Sequence, residues 1–265
     1  HERKASIAPI VIAVNTDQAD LTGLRFIKND YVHRILIGLR QTLGHGVGKI
    51  NELGAQLAKE DGDKVMDAMK SKRDFYETHA FLLIAGAAGG TGSGALPVLA
   101  KMIRERYLNK PVYALTIFPF EHEQFSEARS VYNTATCLKS TYDNVDAVFL
   151  ADNQRYVRKD VSLVNNMERI NRLIVEPFYD LLCAGEVTKR KYVGARTIDA
   201  GDLIASLEGW TTIGMGRTQL PAFRFPWEIR KKHFRDKAVE SFRGSHALDA
   251  TVSDLSVSCN PQDAA

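Results

Sequence analysis

The sequence predicts an α/β protein: a mostly parallel sheet with helices on both faces, a long central helix, and an incomplete second α+β domain. Strand-length apolar runs alternate with helix-length amphipathic segments, the order that βαβ units require. The runs are continuous rather than alternating, as expected when helices cover both faces of a sheet. A glycine-rich turn follows one of these runs, Phe81–Ala85, and in such a sheet ligands belong at the carboxyl ends of the strands.

The first run is Ile10–Asn15, read as a strand. Asn51–Met69 reads as a helix, with Asn51 as its cap and Glu52 in its first turn. Phe81–Ala85 is a strand and Ala95–Tyr107 a helix; Val112–Phe118 is a strand and Gln124–Tyr142 a helix; Ala147–Leu150 is a strand. The long helix is Asn165–Ala184, with Ile170, Leu173, Ile174, Phe178, Leu181 and Leu182 on one face. Pro177 removes the bond to the Leu173 carbonyl and predicts a kink there. A polar stretch, Gly185–Lys191, leads to a short helix over Asp199–Glu208, and Thr211–Gly216 reads as a strand and turn. Beyond it, Glu228–Phe242 is amphipathic, but the tail has too few strands for a domain of its own. The expected division is therefore 1–164 as the main domain, 165–184 as the central helix, 185–208 as a loop and short helix, and 209–265 as the start of a second domain.

Composition is that of a globular protein, with 45% hydrophobic and 25% charged residues in 265. A net charge of +3 without a Lys/Arg block argues against a nucleic-acid partner. Cys137, Cys183 and Cys259 are far apart and form no CxxC pair, which suits a reducing compartment, and a cytoplasmic location is expected. No apolar run is long enough to span a bilayer, and no signal peptide is visible. The chain starts at His1 and stops at Ala265 without an obvious terminal element, and a fragment of a longer chain is expected.

Five of the twelve residues Gly86–Pro97 are glycine. Strand, glycine loop and helix form a phosphate cradle: backbone N–H groups converge, the helix N-terminus adds partial positive charge, and missing Cβ atoms permit close approach. The loop lacks the Lys of GxxxxGK[ST] and the spacing of GxGxxG, so neither a P-loop nor a dinucleotide fingerprint is present. The alternative is a glycine-rich connection without a ligand; the density of glycine at a strand–helix junction favours phosphate.

Gly89-Gly90-Thr91-Gly92-Ser93-Gly94 resembles the GGGTGSG signature of the tubulin/FtsZ superfamily. Val14-Asn15-Thr16-Asp17 is similar to that family's NTD loop, and Gly44-His45-Gly46-Val47-Gly48, followed by Asn51-Glu52-Leu53-Gly54, resembles its γ-phosphate loop. The wording GHGVG…NELGA, with Pro97–Lys101, is closest to the CetZ branch of archaeal tubulin-like proteins.

The resemblance implies a GTP-binding domain over 1–164, with GTP or GDP as ligand and Mg²⁺ held mainly by the nucleotide phosphates rather than by side chains. Ala88, Gly89, Gly90, Thr91, Gly92 and Ser93 would cradle the α- and β-phosphates, and Gly46, Val47 and Gly48 would approach the γ-phosphate. Asn15 and Asp17 would lie near the phosphates and magnesium, and Glu123 would face the ribose. Asn153 and Asn171 would read the guanine edge, because an amide donates and accepts together. Met167 stands one turn before Asn171, where the family often has an aromatic residue on the base. The family also begins with a further strand and a first glycine loop, GxGGxG, upstream of the NTD strand; the chain starts too late to contain them.

No general base is evident in these loops. Asp199 and Asp202, three apart, fall on one side of the first turn of the short helix. By themselves they read as an N-cap and a dipole-compensating acid. The resemblance instead places them in the family's synergy loop, NxDxxD, which enters the nucleotide pocket of the next subunit; Thr197 stands where that motif often has Asn. It thus implies a head-to-tail homopolymer that hydrolyses GTP at the subunit interface. The alternative is a tubulin-like protein that keeps GTP or GDP as a regulatory or structural ligand, with weak polymerisation and little hydrolysis.

Overall fold

The computed structural model describes residues 9–126, 128–156, 163–182 and 206–211. The chain separates into two compact units, His1–Gln154 with Gly201–Thr211, and Arg155–Ala200 with Thr212–Ala265.

The first unit carries two parallel sheets. β1 (Ala13–Asn15) pairs with β2 (Arg34–Leu36). β3 (Phe81–Gly86), β4 (Val112–Phe118), β5 (Ala147–Asp152) and β6 (Gly209–Thr211) form the second sheet in that order, every pair parallel. The order explains the burial. Central β4 is buried along its first five residues, whereas β3 buries Phe81 and partly buries Leu83 and Ala85 but leaves Leu82 and Ile84 exposed. Its run is continuous in sequence, yet its two faces are covered unequally among the described residues.

Three helices build the layer against this sheet. α3 (Asn51–Lys70) buries Leu57, Ala58, Val65, Met66 and Met69, spaced at three and four residues. It packs on α4 (Thr91–Arg106), which buries Leu96, Leu99, Ala100 and Ile103 and contacts β3 and β4. α6 (Ala128–Tyr142) packs on α4 and on β4 and β5. Two short helices, α1 (Gln18–Thr22) and α2 (Leu39–Thr42), link β1 and β2 to α3; α5 (Glu121–Ser126) leads into α6. In the second unit α7 (Leu163–Leu182) contains Pro177 and buries Ile170, Ile174 and Phe178, one face as its spacing predicts.

Several boundaries depart from the sequence reading. The strand expected over Ile10–Asn15 is confined to its last three residues, since only these pair with β2, while Ile10 and Val11 stay exposed. Asn51 does not cap α3: Ile50 holds the cap position, and the Asn51 amide instead donates to Thr136 Oγ1 at 2.8 Å. α4 starts at Thr91, four residues earlier than expected, so the second half of the glycine motif is helical. The single helix expected over Gln124–Tyr142 is two helices, and the first starts early because Glu123 folds back to accept the Phe120 N–H at 2.9 Å. β5 reaches Asp152, two residues further than expected. Of the strand expected at Thr211–Gly216 the described part is the end of β6, Gly209–Thr211; most of the short helix over Asp199–Glu208 lies outside the described residues.

Candidate functional site

Parallel register puts the carboxyl ends of β3, β4 and β5 on one edge, where Gly86, Phe118 and Asp152 stand in neighbouring strands. At this edge β3 passes through Ala87–Gly90 into α4. The first N–H groups of α4 lack intrahelical partners, and among the described residues no side chain caps them, so its positive dipole end opens beside the glycine loop.

The glycines divide by environment. A Cβ on Gly90 would fall 2.6 Å from Val47 Cγ2 and 2.9 Å from Lys49 Cα, and one on Gly94 would collide with the Asn51 carbonyl. These positions are bare so that the loop and α4 can press against the start of α3. Gly89 has nothing within 4 Å of its Cβ position. There the missing side chain leaves open space, which suits the close approach of a ligand phosphate. The cradle therefore fits an anion on backbone grounds.

The second loop bends around Gly44, Gly46 and Gly48, all at positive φ, as are Leu43 and Lys49. Its start is stitched to the end of β1: Gln18 N–H donates to Gly44 O at 2.9 Å, and Gly46 N–H to Thr16 O at 3.2 Å. Asn15 and Asp17 shape that corner. Asn15 Oδ1 accepts the Thr16 N–H at 2.7 Å and its Nδ2 donates to Asp20 at 3.0 Å. Asp17 caps α1, accepting from Ala19 N at 2.8 Å and Asp20 N at 3.1 Å through one oxygen, Oδ1. Val47 is buried against Gly90.

Two contacts join the loops. Thr16 and Thr91 meet hydroxyl to hydroxyl at 2.6 Å. Asn133 of α6, fully buried, donates to Lys49 O at 3.0 Å, Ala88 O at 3.0 Å and Gly89 O at 3.2 Å. Ser93 is buried, its hydroxyl turned back onto the Gly89 carbonyl, so the side chain shapes the loop from within. Sequence reasoning passed over Asn133, Thr16 and Thr136. The available signal was the spacing of Ser130, Asn133, Cys137 and Thr141, a small polar stripe at helical intervals that is the buried face of α6.

At the ends of β4 and β5, Glu123 is half-buried and engaged with the Phe120 N–H at 2.9 Å. The Glu121 N–H donates to Gln154 Oε1 at 3.1 Å, which ties this turn to the one holding Asn153. Asn153 Oδ1 is buried with no partner among the described residues, an acceptor still to be satisfied. Met167 and Asn171 lie on α7 in the second unit, both exposed. Asp199 and Asp202 fall outside the described residues. Among the described residues no cluster of three or more His, Cys, Asp or Glu suits a metal, and no helix is long and apolar enough to cross a membrane.

Residues 1–159 match the model of the tubulin/FtsZ family GTPase domain. The chain is 39% identical over 210 residues to the tubulin-like protein CetZ1 of Haloferax volcanii, a match covering 78% of this chain and 51% of that protein. The chain thus spans about half the length of the curated relatives it matches. Among solved structures it resembles the GDP-bound CetZ1 monomer of Haloferax volcanii (TM-score 0.65, 35% identity, 75% of this chain and 55% of that one). It resembles equally the GTPγS-bound CetZ2 protofilament of the same organism (TM-score 0.65, 35% identity, 75% and 54%).

Proposed function

Since the chain belongs to the tubulin/FtsZ family, we propose that it binds guanine nucleotide and assembles head to tail into protofilaments in the cytoplasm, with GTP hydrolysed where one subunit meets the next. The observation that carries the nucleotide part is the uncapped N-terminus of α4 at a strand end, beside a Gly89 whose Cβ position is empty, closed in by the left-handed loop over Gly44–Gly48.

In this reading the backbone of Ala88, Gly89, Gly90, Thr91 and Gly92, with Ser93 shaping the loop, holds the α- and β-phosphates. Gly46, Val47 and Gly48 hold the γ-phosphate, and Asn15 and Asp17 border it. Mg²⁺, carried in by the phosphates, would neutralise charge on them. Glu123 serves the ribose, Asn153 and Asn171 the guanine edge, and Met167 packs on the base. Two kinds of relative support the reading: one solved with GDP and one solved as a GTPγS protofilament. Asp199 and Asp202 are assigned to the neighbour's site, where carboxylates orient and polarise the attacking water. A head-to-tail contact of this kind extends into a filament when its rotation does not close.

The experiment is the GTPase rate against protein concentration, for the unmodified protein and Asp202→Ala. Interface catalysis makes the specific rate climb with concentration, and Asp202→Ala should keep nucleotide affinity while losing turnover by about 100-fold or more. A specific rate independent of concentration would favour the regulatory-ligand alternative.

A further inference from the structure

We infer that Asn133 is a positioning residue for the triphosphate end of the site: its amide holds the 44–49 loop against the glycine loop, and preference for a nucleoside triphosphate over a diphosphate depends on it. The inference rests on the guanine-nucleotide reading above and adds to it a residue outside every loop assigned to the ligand.

Asn133 sits inside α6, a full helix away from either loop in sequence, and is completely buried. Its Nδ2 faces three carbonyl oxygens, Lys49 and Ala88 at 3.0 Å and Gly89 at 3.2 Å. An amide has two N–H protons, so one is shared. The other end of the same amide, Oδ1, is buried and accepts nothing among the described residues. An orphaned buried acceptor is unfavourable. A residue serving stability alone would satisfy both ends; this one spends its donors on two separate loops and leaves its acceptor bare.

The two loops do not depend on it equally. The glycine loop has other ties: Ala87 N–H donates to Ile117 O at 2.9 Å, Ser93 holds the Gly89 carbonyl, and Thr91 holds Thr16. The 44–49 loop is fastened at its start, through Gly44 and Gly46, and its far end is a turn closed by Ile50 N–H to Val47 O at 3.1 Å, which holds Lys49 in a left-handed conformation, φ 62°. A residue with a Cβ disfavours that region and stays there when its surroundings over-determine it. The Asn133 bond to the Lys49 carbonyl is such a constraint. Without it, Gly48 and Lys49 can relax out of the left-handed region and draw Val47 away from Gly90, against which it packs. The glycine loop, and with it the seat of the α- and β-phosphates, would change less.

The test compares GTPγS and GDP affinities, together with amide hydrogen exchange of the nucleotide-free protein, for the unmodified protein, Asn133→Ala, and Asn133→Ala combined with Lys49→Gly. The single variant should lose roughly tenfold in the GTPγS-to-GDP affinity ratio, the worth of about one hydrogen bond to a buried group. Exchange should rise at residues 46–50 and stay unchanged in β4. Glycine takes the left-handed region freely, so Lys49→Gly should recover part of the lost ratio. An unchanged ratio, or equal losses for both nucleotides with no gain from Lys49→Gly, would overturn the inference. If Asn133→Ala does not fold, the isosteric Asn133→Asp replaces it: its carboxylate faces carbonyls, so triphosphate preference should return as falling pH protonates it, and a flat pH profile would overturn the inference. Failure of the unmodified protein to bind either nucleotide would overturn the proposed function instead, and exchange at residues 46–50 would still decide the role of Asn133.

Discussion

Thr16, at the end of β1, and Thr91, at the first residue of α4, are 75 residues apart in sequence and share a hydroxyl–hydroxyl hydrogen bond of 2.6 Å. Thr16 is fully buried, so its hydroxyl has no water to replace that partner. The bond fixes the NTD corner against the N-terminus of α4, and with it the mutual placement of two loops assigned to phosphate.

Removing either hydroxyl should therefore loosen both loops. Thr91→Val keeps the shape and loses the bond, and is expected to cost about 1–2 kcal/mol because the fully buried Thr16 hydroxyl is left unpaired. Thr16→Val should cost less, since the Thr91 hydroxyl it leaves behind is partly exposed and can turn to water. The double variant should be less destabilised than the sum of the two, by about 0.5–1.5 kcal/mol. Urea denaturation of the four proteins checks this; additive costs would mean that the two hydroxyls are not energetically coupled.

Two glycines of the same motif, Gly89 in the loop and Gly94 in α4, should respond in opposite ways to a methyl group. Gly94→Ala pushes a Cβ into the Asn51 carbonyl, a backbone atom that cannot step aside, and is expected to destabilise the fold by about 2 kcal/mol or more. Gly89→Ala meets nothing within 4 Å and its φ is not positive, so thermal stability should stay within about 0.5 kcal/mol of the parent. Its affinity for GDP should nevertheless drop at least tenfold, because the methyl occupies the phosphate seat. Thermal melts with and without GDP separate the two effects.

The corner that leads into the 44–49 loop carries a pH-dependent tie. Asp61 of α3 accepts the Gly38 N–H at 2.7 Å and pairs with Lys64 at 2.7 Å. Burial alone raises its carboxyl, but the Lys64 bond and the Gly38 N–H outweigh it and hold the group below its ordinary value of 3.8. A lowered pKa means that the folded state binds fewer protons than the unfolded chain. The stabilisation is present above pH 3.8 and is lost as pH falls through the folded value. Asp61→Asn, which keeps an acceptor for Gly38, should be less stable at pH 7 by about 1 kcal/mol. That difference should shrink steadily below pH 3.8. A difference independent of pH would place the effect in packing.

Much of this arrangement could be read from the sequence, for identifiable reasons. β4 and α3 announce themselves because a central strand must be apolar throughout and a long helix repeats its apolar stripe many times. The glycine loop is legible because five glycines in twelve residues have few other uses. β2, α1 and α2 were missed because three to five residues cannot display a period. Asn51 was misread because local capping rules do not see Thr136, which approaches from a helix 85 residues away. Asn133 gave no local sign of its role, since its partners are backbone carbonyls, which every residue has.

Calorimetric titration with GDP and with ADP decides whether the proposed site selects guanine nucleotide. An uncapped helix N-terminus attracts the phosphates of both, so any discrimination must come from contacts to the base, the role proposed for Asn153 and Asn171. GDP is expected to bind far more tightly than ADP, and Asn171→Ala should weaken GDP by about 1–3 kcal/mol while leaving ADP unchanged. Equal affinity for GDP and ADP, or GDP binding indifferent to Asn171→Ala, would contradict guanine selection by this site.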